Sequence, residues 1–402
     1  MSLDALRRQV AHAYENTAHY RAKCDAAGVS PDDLKTWKDL SRFPFTLKGD
    51  FREHYPWGMC AVPREKLARV HASSGTTGKP TIVGYTAADL DHWNMLMARC
   101  LRTAGVRPGD LLHNAYGYGL FTGGLGFHGG AEKLGCAVVP ASGGQTERQI
   151  QLILDLRPRV LCCTPSYALV LAEALAGRST SLEIALCGAE PWSAQMQQEV
   201  EQRLGVMALD VYGLSEVLGP GVAVERPDAR GYLTVWEDAF FPEIVDPDTG
   251  LPLPDGEDGE LVFTSLSKEA VPVIRYRTGD LSRLHPPTGA VPYRRMERIK
   301  GRSDDMLIVR GVNIFPRQIE ELILEEPALS PHYRIDVTRE DKRDVLTVTV
   351  EGSGACGLGD RMKSRYGLSA VVVVVEAGHL PRSEGKARRV FDHRNGHRKG
   401  QA

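Results

Sequence analysis

No apolar run in the 402-residue chain approaches the roughly 20 residues that a membrane-spanning helix needs. The most apolar stretch, "AVVVVVE" from Ala370 to Glu376, has the length of one buried strand. Cysteine is sparse: the 8 cysteines are scattered, with Cys162 and Cys163 adjacent and no CxxC pair. That excludes a disulfide scaffold and a cysteine zinc site, and the expected compartment is a reducing cytoplasm. Neither sign of charge is in excess, with 49 Lys and Arg against 51 Asp and Glu. The net charge of -2 argues against nucleic acid or an anionic membrane as the main partner. Repeats and low-complexity segments are also missing. The opening "MSLDALRRQVAHAYENTAHY" lacks the parts of a secretory signal and reads as an amphipathic helix.

What is present is ordinary for a globular protein, 42% hydrophobic and 25% charged, and long enough for more than one domain. Residues 1 to about 60 read as mainly helical. From 65 to 300, strands and helices alternate. "LARVHA" and "TIVGYT" are strands on either side of a Gly-rich loop. "TAADLDHWNMLMARCLRTAG" is a helix with Thr86 as N-cap and Gly105 as stop. "DLLHNAY", "RVLCC", "LEIALCGAEP" and "VMALDVYGLSE" are further strands, the last two ending in polar loops. The alternation predicts an α/β fold with a substantially parallel sheet and ligands at the carboxyl ends of its strands. From about 235, Asp, Gly and Pro punctuation predicts a smaller antiparallel sheet. "RIKGRSDD" is a polar break before a capped helix, a hairpin and "AVVVVVE" as a final strand. The expected domains are therefore 1–303, large and α/β, and 304–402, a small mobile α+β lid.

"HASSGTTGKPTIVGYT" (His71 to Thr86) concentrates hydroxyls, glycines and a lysine. A Walker loop needs GxxxxGK[ST] between strand and helix. Here the spacing is shorter, Pro80 stands where the Mg²⁺-binding hydroxyl would be, and both flanks are strands. Backbone amides at Gly75 and Gly78, hydroxyls of Ser73, Ser74, Thr76 and Thr77, and the charge of Lys79 can still cradle a phosphate. The same residues also make an ordinary Gly-rich hairpin turn.

The loop has company. "YGLSE" (Tyr212 to Glu216), "YRTGDL" (Tyr276 to Leu281), "GRSDDM" (Gly301 to Met306) and "PRSEGKARR" (Pro381 to Arg389) follow in chain order. Together these motifs resemble the adenylate-forming superfamily of acyl- and aryl-CoA ligases, luciferases and peptide-synthetase adenylation domains. "YGYGLFTGGLG", "TPSYAL", "GAEPW", "YGLSEVLGPGVA", "DGELVFTSLSKEAVPVIRYRTGDL" and "RSDDMLIVRGVNIFPRQIEE" bring the resemblance close to the phenylacetate–CoA ligase subfamily, over nearly the whole chain.

The resemblance implies ATP-dependent activation of an aromatic acid as an acyl-adenylate, with pyrophosphate release. A thiol, normally coenzyme A, then displaces AMP after the small domain rotates. By the same resemblance, Lys386 bridges the acyl oxygen and α-phosphate during adenylation, offsetting charge in the transition state. Glu216 is the Mg²⁺ ligand, a hard carboxylate beside the polyphosphate, and is grouped with Lys386 as catalytic. Ser73 to Lys79 hold phosphate, with Ser215 adding a contact. Tyr212 stacks on adenine over a floor of Gly188, Ala189 and Glu190, with Asp210 and Gly213 alongside. Asp280 takes the ribose hydroxyls, assisted by Arg302, and Asp304 is the hinge. Each of these also has a bland reading: a tail lysine, a surface glutamate, a core tyrosine, a turn aspartate, an N-cap.

The glycine- and aromatic-rich segment from Asn114 to Gly135 implies the acyl pocket, from Tyr116, Tyr118, Gly119, Phe121, Gly123, Phe127 and Gly129, with Pro220. Here the chain departs from the family's "GAHYGAE": Phe127 replaces a small residue and Gly129 a tyrosine. Either the pocket shape changes or the two residues only repack its wall. The chain begins late relative to the family, and its lid is short between "TVTVEG" and "LSAVVVVVE". The altered pocket and the short lid motivate an alternative: a biosynthetic adenylating enzyme that hands its acyl group to a carrier-protein thiol, an amine or another small nucleophile. Homodimers are common in the subfamily. The stretch "HPPTGAVPYRRM", with one His and no Cys, excludes the zinc site of some relatives.

Overall fold

The computed structural model describes residues 2–73, 80–289, 291–303, 305–340, 343–353, 357–383 and 386–394. The chain opens with α1 (Leu3–Asn16), whose N-cap Ser2 accepts from the Ala5 amide at 3.3 Å. Leu6, Val10 and Ala13, spaced three to four apart, fall on its buried face. Next come α2 (Ala18–Ala27), stopped by Gly28 at φ 65°, and the short α3 (Lys48–Glu53). β1 (Leu67–Ser73) and β2 (Thr81–Thr86) pair antiparallel, with Ser73 opposite Thr81. The loop expected to hold phosphate is thus flanked by two strands; its residues Ser74, Gly75, Thr76, Thr77, Gly78 and Lys79 lie outside the described residues. α4 (Ala87–Thr103) begins as the sequence predicts. The Thr86 hydroxyl accepts from the Asp89 amide and the Asp89 carboxylate accepts from the Thr86 amide, both at 3.0 Å.

The parallel half of the main sheet is built from β3 (Leu111–Asn114), α5 (Thr122–Leu134), β4 (Ala137–Val139), α6 (Thr146–Leu156), β5 (Val160–Cys163), α7 (Pro165–Ala174), β6 (Ile184–Gly188), α8 (Ala194–Leu204) and β7 (Met207–Leu214). Its order is β4-β3-β5-β6-β7. β5 ("VLCC") and β6 ("IALCG") are buried at every residue, as strands covered by helices on both faces must be.

β8 (Gly219–Arg226), β9 (Ala229–Val235), β10 (Phe240–Val245), β11 (Pro252–Leu253), β12 (Asp258–Ser265), β13 (Tyr276–His285), β14 (Arg295–Glu297) and β15 (Gly301–Arg302) continue the sheet in antiparallel fashion. The order runs on as β7-β8-β9-β14-β13-β12-β10-β11, with β15 on β13. The expected separate antiparallel sheet starting near 235 is corrected on two points. The change of direction comes at β8, and β7–β8 pairing joins both halves into one sheet of 13 strands. β13 alternates buried and half-buried residues along its whole length, the pattern of a strand with one covered face.

The C-terminal part contains β16 (Leu307–Val309), β17 (Val312–Ile314), α9 (Pro316–Leu324), β18 (Leu329–Glu340), β19 (Arg343–Gly352), α10 (Leu358–Tyr366), β20 (Val371–Val375) and β21 (Val390–Asp392). Four of these strands form a sheet in the order β20-β19-β18-β21, with an apolar cluster of its own around Ile319, Ile335 and Val348. β20 is neither the last strand nor buried. Among the described residues it is an edge strand, and its Val371 and Val373 are exposed because they alternate with Val372 and Val374, which face the apolar cluster. Among the described residues no helix is long and apolar enough to cross a membrane.

Candidate active site

A cleft of about 580 Å³ opens where β6 and β7 end, and the small domain reaches into it with Lys386, Ala387 and Arg388. Glu216 lies on the turn between β7 and β8, only 4% exposed. Ser73, at the end of β1, donates its hydroxyl proton to Glu216 Oε1 at 2.9 Å. The Ser215 and Thr122 hydroxyls share a hydrogen bond of 3.1 Å.

On the opposite wall the Tyr212 hydroxyl donates to Asp280 Oδ2 at 2.6 Å, and Arg302 Nη1 donates to Asp280 Oδ1 at 2.7 Å. Register explains the second contact, since Asp280 on β13 faces Arg302 on β15. Gly188 ends β6 so close to β7 that a Cβ would overlap the Val211 carbonyl. Ala189 follows at φ 74°, a left-handed conformation costly for a residue with a side chain. Gly213 lies across the strand pair from Pro220, and both line the cleft.

Asp210 also lines it, and its carboxyl is pushed up to about 7 by burial, held back by Arg298 and raised further by Glu225. Lys386 projects into the solvent of the cleft, yet the surrounding walls strip hydration from its ammonium. That lowers its pKa below the ordinary lysine value, while Glu190, Glu216 and Asp280 pull the other way. The arrangement thus places the Lys386 ammonium opposite three carboxylates inside a partly desolvated cleft.

Of the expected acyl-pocket residues, Tyr116, Phe121, Gly123, Phe127 and Pro220 line the cleft. Tyr116 and Phe127 stack at 4.9 Å and 10°, so two parallel rings line the cleft. Three expectations are corrected. Tyr118 turns away, its hydroxyl bonded to Asn114 at 2.7 Å and His128 at 3.1 Å. Gly119 sits outside the lining. Gly129 packs α5 against α4, where a Cβ would overlap the Asn94 amide. Helical pitch is the reason: residues 127 and 129 lie about 200° apart around α5, so only one of them can face the cleft. The hinge candidate Asp304 lies outside the described residues.

Several residues in or behind the lining carry no sequence signal. Lys48 and Arg52, one turn apart on α3, both reach the cleft, but a pair of cations at that spacing is also what any solvated helix shows. Lys268 is 3% exposed and donates to the Glu216 carbonyl at 3.0 Å. Its ammonium lies 5.0 Å from the Tyr85 ring centre, and burial pushes its pKa down to about 8. A larger groove of about 740 Å³ beside α8 is a weaker candidate. Its charges are spent on one another, Arg230 with Glu201 at 2.6 Å and Lys300 with Glu297 at 3.1 Å.

Residues 16–267 match the family model described as AMP-binding enzyme, and residues 311–394 match that of the AMP-binding enzyme C-terminal domain. The chain is 55% identical over 414 residues to a phenylacetate–coenzyme A ligase of Aromatoleum evansii, across 98% of this chain and 94% of that protein. A phenylacetate–coenzyme A ligase of Escherichia coli K12 is 54% identical, across 97% and 93%. Among solved structures, 2-hydroxyisobutyryl-CoA ligase in its postadenylation state with 2-HIB-AMP aligns at TM-score 0.91 and 29% identity, across 97% of this chain and 88% of that one. The same ligase in its thioesterification state, with 2-HIB-AMP and CoA, aligns at 0.73 and 30% identity, across 98% and 89%. Both domain models in chain order, and relatives above half identity along nearly the whole sequence, mean that the chain belongs to the adenylate-forming AMP-binding enzymes, in the phenylacetate–coenzyme A ligase subfamily of AMP-forming acid–thiol ligases that use ATP, Mg²⁺ and coenzyme A.

Proposed function

We propose that this chain condenses a small aromatic carboxylic acid with ATP to an aryl-adenylate, releases pyrophosphate, and transfers the acyl group to the thiol of coenzyme A with release of AMP. The observation that carries this reading is the convergence of Lys386 with Glu216, Asp280 and the Tyr116–Phe127 ring stack in one cleft. A flat apolar acid fits against the rings of Tyr116 and Phe127. Lys386 stands over the acyl end and offsets the charge that grows as carboxylate oxygen attacks the α-phosphate. Asp280 orients the ribose through its hydroxyls, held by Tyr212 and Arg302. Ala189 and Glu190 line the surface assigned to adenine, with Gly188 just before them in the chain and Asp210 at its edge.

Glu216, held by Ser73, is the residue that would carry Mg²⁺, which when bound neutralises phosphate charge. The loop 74–79 is assigned to pyrophosphate and Asp304 to the hinge. The domain boundary near 303 is supported by the separate apolar cluster that starts at Leu307.

A second reading, transfer to a carrier-protein thiol, is favoured by one feature. Among the described residues, the crossover from β19 to β20 carries the nine-residue α10 alone, which leaves little lid to cover coenzyme A. The family resemblance further supports a homodimer in the cytoplasm.

The test is pyrophosphate release over a panel of aromatic acids, with and without coenzyme A. Aryl-CoA formation is expected. Adenylate without thioester would favour the second reading, and no ATP turnover with any acid would overturn both.

A further inference from the structure

We propose that Glu190 is a positioning residue for the first half-reaction, a carboxylate that bridges the two domains and seats Lys386 in the cleft. Glu190 follows the strained Ala189 at the end of β6, so its side chain is thrown across the gap between domains. One oxygen, Oε1, accepts from the Ser166 amide in the first turn of α7 at 2.6 Å. The other, Oε2, accepts from the Ala387 amide at 2.9 Å, the peptide group immediately after Lys386. A carboxylate with both oxygens used in this way fixes a backbone position rather than a side chain.

The small domain is pinned a second time at the same place. Arg389 Nη2 donates to the Ser166 hydroxyl at 3.0 Å, while Arg389 Nη1 pairs with Glu320 inside its own domain. Residues 387 and 389 are therefore both tied to the start of α7. The other end of α7 is held too, with Glu173 accepting from His332 at 2.6 Å and from Arg382 at 3.2 Å. These contacts belong to one domain arrangement. This chain aligns far better with the postadenylation state of a CoA ligase than with the thioesterification state of the same enzyme. Rotation of the small domain carries Ala387 away from Glu190, so the bridge acts in one half-reaction and must break for the other.

An alternative role is purely local: Glu190 capping α7. A lost cap lowers stability and harms both half-reactions alike, whereas a lost bridge harms adenylation selectively. The inference rests on the proposed ligase activity.

Three measurements on Glu190→Ala and Glu190→Gln test it: pyrophosphate release at saturating ATP, single-turnover conversion of prepared aryl-adenylate and coenzyme A to aryl-CoA, and amide hydrogen exchange over residues 380–392. The adenylation loss in Glu190→Ala is expected to exceed the thioester-step loss at least about tenfold, about the worth of one charge-assisted hydrogen bond. Glu190→Gln, which keeps one acceptor oxygen, falls between. Protection of the Ala387 amide is lost in Glu190→Ala. Equal losses in both half-reactions, or unchanged protection at Ala387, overturns the bridge. Wild-type protein that releases no pyrophosphate with any acid overturns the ligase reading instead, and the exchange measurement still decides the bridge.

Discussion

The Lys386 ammonium lies 5.2 Å from the ring centre of Phe121, so a cation of the small domain rests on an aromatic face at the entrance to α5. The contact offsets part of the hydration that the cleft removes. Lys386→Ala is expected to cut adenylation by about 10²- to 10³-fold, as removal of one preorganised transition-state donor does. Acyl transfer from prepared adenylate to coenzyme A should fall far less. Equal loss in both steps, read by pyrophosphate release and by single-turnover thioester formation, contradicts the role.

Glu216 receives its hydrogen bond from Ser73 and has its own carbonyl held by buried Lys268. Glu216→Gln keeps shape and removes charge. The Mg²⁺ concentration for half-maximal adenylation should rise about tenfold or more, the worth of roughly 1.4 kcal/mol in metal binding. A magnesium titration of pyrophosphate release with an unchanged midpoint would sink the assignment.

Asp210 supplies a pH prediction. Its folded pKa of about 7 lies above the ordinary 3.8, so the folded protein holds more protons than the unfolded chain between those values. The stabilisation is full below pH 3.8 and is lost as pH rises through 7. Asp210→Asn carries no charge at any pH. Its melting temperature should exceed that of the wild type above pH 7, and the gap should narrow as pH falls to 5. A constant gap across thermal melts at those pH values contradicts the shift.

Phe127 is 1% exposed and lines the cleft in a stack with Tyr116. Phe127→Ala should raise kcat/KM for two-ring acids relative to one-ring acids by about 10-fold or more, since pocket volume discriminates by roughly 1–3 kcal/mol. The truncation also costs about 3–5 kcal/mol of stability, so Phe127→Leu is the gentler companion. An unchanged preference in both variants would move the specificity wall elsewhere.

Much of this site was legible as residue types in order. The two strands flanking the Gly-rich loop and the Thr86 N-cap follow from local chemistry, and the short motifs single out Tyr212, Glu216, Asp280 and Lys386 without saying how they meet. α5 was not legible. Its thirteen residues include five glycines, a composition that reads as loop, and it is helical because its bare face packs against α4. That packing sends Gly129 toward Asn94 and Phe127 toward Tyr116. The continuity of the antiparallel strands with β7 was hidden for a similar reason, since pairing between distant strands leaves no trace in either one alone.

Sequence alone determined the fold class, the order of the chemical groups and the family, because each depends on local patterns or on their succession along the chain. Tertiary structure alone decided which groups meet. The Glu190 carboxylate joins Ser166 and Ala387, 197 residues apart for the second pair, and Tyr212 finds Asp280 across 68 residues. Contacts of that range are set by how the sheet and the small domain close on one cleft, and no spacing in the sequence can state it.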